Sequence, residues 1–92
     1  MKNKIASVRK KIDKIDEGII TLLSTRKKLS LEIGNIKRMM NKKIDDESRE
    51  KEIINRIKKL ARGKNLNEKS VNDVYKLILK QSKKEQKNAA YN

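Results

Sequence analysis

The sequence predicts an all-α protein with three helices per chain, one very long and two shorter. Two observations carry this. Apolar residues recur three and four apart over most of the 92 residues, and no stretch alternates as a strand would. The first periodic segment is also too long to be covered by the other two. It runs from about residue 4 to residue 40, roughly 54 Å at about 1.5 Å per residue, which exceeds the diameter of a globule of this size. A partner chain lying alongside is the simplest way to cover it.

The first helix carries the stripe Ile5, Val8, Ile12, Ile15, Ile19, Leu22, Leu29, Ile33, Ile36 and Met40. Arg26 stands where the spacing calls for another apolar residue. A guanidinium is costly to bury without an anion, and no carboxylate occupies a neighbouring stripe position. Gly34 permits close backbone approach; Gly18 has no evident purpose. The period is lost over Asn41-Lys42-Lys43-Ile44-Asp45-Asp46, which reads as a loop. Asp45 or Asp46 caps the second helix, whose stripe is Ile53, Ile54, Ile57, Leu60 and Ala61, with Gly63 as its C′ stop. Asn67 caps the third, with Val71, Val74, Tyr75 and Ile78 on its inner face. Asn88 to Asn92 are expected to fray.

Composition excludes several functions. The chain lacks Cys and His, so it has no disulfide framework, no Ser-His or Cys-His nucleophile and no ordinary structural zinc site. No apolar run suits a membrane span or a secretory signal, and a single soluble domain over 1–92 in the cytoplasm is expected. The net charge of +14 favours anionic partners. The cations are dispersed along the length, as on a solvated surface, so a basic helical nucleic-acid-binding protein is the weaker reading.

Polar residues recur on the inner faces. Glu50 lies one turn before Ile53 and Ile54. Ser82 and Gln86 continue the Val71, Tyr75, Ile78 face in steps of four. Lys37 follows Arg26 by eleven residues, three turns of helix. Each has a plainer reading: Glu50 suits a helix N-terminus, Ser82 and Gln86 end a stripe, Lys37 is a surface lysine, and Arg26 snorkels. Together they describe a pocket with several cations, one carboxylate and neutral donors. Such a pocket suits an anion with polar substituents and works by orientation and electrostatics.

The ordered set Val8-Arg9-Lys10-Lys11-Ile12-Asp13-Lys14-Ile15-Asp16, Leu22-Leu23-Ser24-Thr25-Arg26, Ile33-Gly34-Asn35-Ile36-Lys37, Ile44-Asp45-Asp46-Glu47-Ser48-Arg49-Glu50 and finally Ser82 with Gln86 resembles the all-helical chorismate mutases of the AroQ class. The resemblance runs from about residue 5 to residue 87. It implies an intertwined homodimer whose sites draw on both chains. It also implies the Claisen rearrangement of chorismate to prephenate, towards phenylalanine and tyrosine, with no cofactor and no metal. Arg26, and Arg9 from the other chain, would bind substrate carboxylates. Lys37 and Gln86 would donate to the ether oxygen. Glu50 would accept from the ring hydroxyl with backbone near Asp46 assisting, Arg49 would support the loop and the carboxylate end, and Ser82 would contact a carboxylate. Lys43 stands where the family often has proline, so a looser loop is expected. A domain acting without a fused dehydratase or dehydrogenase is also expected. Removal of pyruvate from isochorismate on the same scaffold is the competing activity.

Overall fold

Residues 2–90 of the computed structural model are described. They form α1 (Lys2–Met39), α2 (Glu47–Gly63) and α3 (Glu68–Ala90), with no strand among the described residues. α3 packs against both α1 and α2, whereas α1 and α2 do not pack on each other. The chain measures 59 × 28 × 15 Å, with a radius of gyration of 16.9 Å. A compact chain of this length would have a radius of about 12 Å. The difference is the N-terminal half of α1, which projects beyond the other two helices.

Helices α1 and α2 end in the same way. Asn41 and Asn65 adopt left-handed backbone, with φ of 58° and 59°. After α1, Lys42 N–H donates to the Lys37 carbonyl at 2.8 Å and Asn41 N–H to Arg38 at 3.1 Å. After α2, Leu66 N–H donates to Ala61 at 2.9 Å and Asn65 N–H to Arg62 at 3.2 Å. Both are Schellman closures, which satisfy carbonyls that the helix leaves unpaired. The expected stop at Gly63 is therefore corrected: Gly63 is the last helical residue, and Asn65, two residues on, makes the turn. Asn tolerates this conformation because its short polar side chain lowers the left-handed penalty. At the N-termini, Asp46 Oδ1 accepts from Arg49 N–H at 3.0 Å and Asn67 Oδ1 from Ser70 N–H at 2.9 Å. Both caps are the expected ones.

The core is small. Ile53, Ile57, Ala61 and Ala89 are buried. Leu60, expected on the inner face of α2, is exposed. The α1 stripe is also open within one chain: Ile12 is 50% exposed, Ile19 49% and Leu22 70%. The helix of α3 continues through Asn88 and Ala89 to Ala90 rather than fraying at Asn88; Tyr91 and Asn92 lie outside the described residues. Ala89 is buried there because it closes on Gly34.

At Gly34 the two helices touch. A Cβ built on this residue would sit 2.6 Å from the Gln86 carbonyl oxygen, 2.8 Å from Gln86 Cα and 3.0 Å from Ala89 Cβ. Backbone cannot yield to such a contact as a side chain tip can. Gly34→Ala gains about 1 kcal/mol of helix propensity but forces α3 away, with overpacking costs of about 1–3 kcal/mol. The expected outcome is a lower melting temperature together with lower activity, because the displaced residue is Gln86. Thermal melts and turnover of the variant check both.

Candidate active site

The C-terminal half of α1, the following loop, α2 and α3 enclose a cavity of about 450 Å³. From α1 it receives Arg26, Ser30, Ile33 and Lys37, spaced four, three and four apart and so on one face. The loop contributes Ile44 and Asp46. From α2 come Arg49, Glu50, Ile53 and Arg56, again one face. Leu79, Ser82, Lys83 and Gln86 of α3 close it. The lining holds five cationic side chains against two carboxylates, so its field favours an anion.

Lys37 organises the floor. Its ammonium donates to the Ile44 carbonyl at 2.9 Å and to Gln86 Oε1 at 3.2 Å. An ammonium has only donors, so the Gln86 amide must turn its oxygen to Lys37. Its NH₂ remains as a donor, with Ser82 Oγ at 3.5 Å as its partner, a long and weak contact. Lys37 and Gln86 thus meet across 49 residues as adjacent donors. Close approach at Gly34 makes this possible. Beneath them the buried Ser30 and Ser82 hydroxyls share a hydrogen bond of 2.7 Å. Each satisfies the other, as buried polar groups require.

Arg26 is half-buried. Among the described residues it forms no salt bridge. The misplaced charge of the α1 stripe therefore opens into the cavity with no protein anion against it. Glu50 receives Lys83 Nζ at 3.2 Å, and the same ammonium reaches Asp45 Oδ1 at 3.2 Å. Asp46 is occupied as the α2 cap, and the Arg49 guanidinium bonds Glu52 at 2.5 Å on the exposed side.

Seven of the eight expected site residues therefore line one cavity: Arg26, Lys37, Asp46, Arg49, Glu50, Ser82 and Gln86. Arg9 does not. It sits seventeen residues before Arg26, about 25 Å along the helix, on a surface groove with Lys4, Ile5 and Val8. The sequence reading missed Ser30, Arg56 and Lys83. Ser30 and Arg56 were detectable, being four residues after Arg26 and three after Ile53. Lys83 had no local signal in its lysine pair.

The Asp45–Lys83 contact also sets a pH window. The hydrogen bond from Lys83, then its charge and that of Lys87, hold the Asp45 carboxyl below its ordinary value. Hydrogen bonds to Asp45 and Glu50 raise the Lys83 ammonium. A depressed carboxyl stabilises the fold above its unfolded pKa, about 3.9, and that stability is lost as pH falls through the folded value. A raised ammonium stabilises below about 10.4, and the gain is lost as pH rises through the folded value. The pair therefore contributes across the neutral range, weakly, since both groups face solvent and salt screens them. Melts at low ionic strength between about pH 5 and pH 2 should fall less steeply for Asp45→Asn than for the parent.

Residues 8–87 match the family described as chorismate mutase type II. The chain belongs to that family. All of the expected site residues, from Arg9 to Gln86, lie within the matched span. The chain is 36% identical over 87 residues to a chorismate mutase of Methanocaldococcus jannaschii, covering 95% of this chain and 88% of that protein. It is 37% identical over 81 residues to a bifunctional chorismate mutase/prephenate dehydratase of Buchnera aphidicola, and 28% identical over 80 residues to one of Escherichia coli. It spans 21% of the length of each of these two. For a type II chorismate mutase domain, an all-α architecture with a polar inter-helical cavity is the expected frame. No helix among the described residues is long and apolar enough to cross a membrane.

Proposed function

We propose that this protein rearranges chorismate to prephenate in the cavity between its helices. The observation that carries the reading is the Lys37–Gln86 pair at the floor of a cation-lined cavity, in a chain of this family. The reaction is an isomerisation. One C–O bond breaks as one C–C bond forms, and no group or electron enters or leaves. The residues therefore need only select a compact substrate conformer and stabilise charge growing on the ether oxygen. Lys37 and the weakly held NH₂ of Gln86 are the donors aimed at that oxygen. Arg26 holds one carboxylate, with Ser82 beside it. Glu50 accepts from the ring hydroxyl. Arg49 steadies the α2 entrance.

The second carboxylate falls to Arg9 of a partner chain in an intertwined homodimer. Three observations support this. Arg9 and Arg26 are too far apart on one rigid helix to hold one small molecule. The chain exposes 8073 Å², about 2,500 Å² more than a folded monomer of its mass. That excess has the scale of an obligate interface. Finally, the apolar stripe of α1 is left open within one chain. A cytoplasmic location fits a cysteine-free chain of this kind.

The test is a spectroscopic assay of the purified protein with chorismate, and with isochorismate alongside, without added metal or nucleotide. Prephenate is expected from chorismate. Unchanged chorismate overturns the proposal, and pyruvate released from isochorismate alone would assign the competing lyase activity.

A further inference from the structure

Lys83, like Arg56, is a cation of the cavity to which the proposed chemistry gives no task. Its ammonium lies 3.2 Å from Glu50 Oε1 and 3.2 Å from Asp45 Oδ1. It therefore joins three segments at one point: α3, the N-terminal turn of α2, and the loop leaving α1. The position matters because α1 and α2 make no direct packing contact. α3 packs on both helices, and the Lys37 bond to the Ile44 carbonyl ties α1 to the loop. The Lys83 and Glu50 side chains are each about one-third exposed, at 34% and 35%, whereas Asp45 is 60% exposed. The Glu50 leg is the more enclosed of the two, and contacts of that kind are screened less than open ones.

We propose that Lys83 is a positioning residue for the Glu50 carboxylate. It engages Oε1 and so fixes the rotamer in which the other carboxylate oxygen faces substrate, while its second contact draws the loop over the cavity. A free glutamate would sample several rotamers, and each productive encounter would bear that ordering cost. The proposal rests on Glu50 accepting from the ring hydroxyl, as argued above. It assigns Lys83 no contact with substrate.

The test is a double-mutant cycle on the full-length protein with chorismate as substrate. Lys83→Met is expected to lower kcat/KM about tenfold, with Lys83→Arg restoring most of it. In a Glu50→Ala background, Lys83→Met should change kcat/KM less than about twofold, because there is no carboxylate left to orient. A merely structural lysine would give additive losses, and so would one that bound a substrate carboxylate itself. Either result overturns the proposal. Circular dichroism and solution mass of Lys83→Met should match the parent, and Lys83→Gln repeats the cycle if they do not. A parent chain that leaves chorismate untouched overturns the functional reading and this proposal together. An active parent with an unaffected Lys83→Met overturns the positioning role alone.

Discussion

Lys37→Ala is expected to slow prephenate formation by roughly 10²–10³-fold, the loss seen when a preorganised donor is taken from a developing oxyanion. The loss should fall mainly on kcat, since the ether oxygen carries little charge before its bond to carbon begins to break. The structure explains why no neighbour compensates. The ammonium is fixed by the Ile44 carbonyl at 2.9 Å and by Gln86 Oε1 at 3.2 Å, so it needs no reorganisation when charge appears. Its removal also frees the Gln86 amide to rotate and releases the loop carbonyl. Gln86→Ala should give a loss of similar order. The double variant should lose less than the product of the two, because each group orients the other. Progress curves for chorismate disappearance, at concentrations that separate kcat from KM, check all three. Normal turnover in both single variants would remove the mechanism.

The parts of this site that the sequence reveals are those set by helical period. Arg26 declares itself because ten apolar residues define the stripe it interrupts, and Gln86 because it keeps step with Val71, Tyr75, Ile78 and Ser82. Local chemistry likewise announces the caps at Asp46 and Asn67. Gly63 shows the limit of that legibility. A glycine near a helix end reads as the C′ residue, yet the chain turns at Asn65, where hydrogen bonds to Arg62 and Ala61 close the helix. Lys83 was illegible for a different reason. Its partners lie 33 and 38 residues away, and only the path of the loop over α3 brings them together. Leu60 fits the α2 period, yet it is exposed within the single chain.

Mixing two inactive variants should restore activity. In the proposed homodimer, Arg9→Ala and Arg26→Ala each remove one guanidinium from every site, and each variant alone should be nearly dead. Suppose Arg9 serves the partner's cavity. In a heterodimer, the chain that keeps Arg26 then receives Arg9 from its neighbour, and one of the two cavities is complete. The other lacks both. Random exchange makes half of the dimers mixed, so about a quarter of parental activity should return. This estimate assumes that intact sites act independently, as distant sites generally do. If Arg9 instead serves its own chain, no combination rebuilds a site and the mixture stays inactive. Exchange must be driven, because an interface of the extent proposed would dissociate slowly; mild denaturant followed by dilution, or co-expression, suffices. The same experiment reports on the α1 stripe. Ile12→Asp places a charge in the middle of an apolar face that is open in the single chain. Buried at an interface without a partner, that carboxylate would cost several kcal/mol. The expected result is loss of the dimer by sedimentation and loss of turnover with it, and a fully active Ile12→Asp monomer would show that one chain suffices.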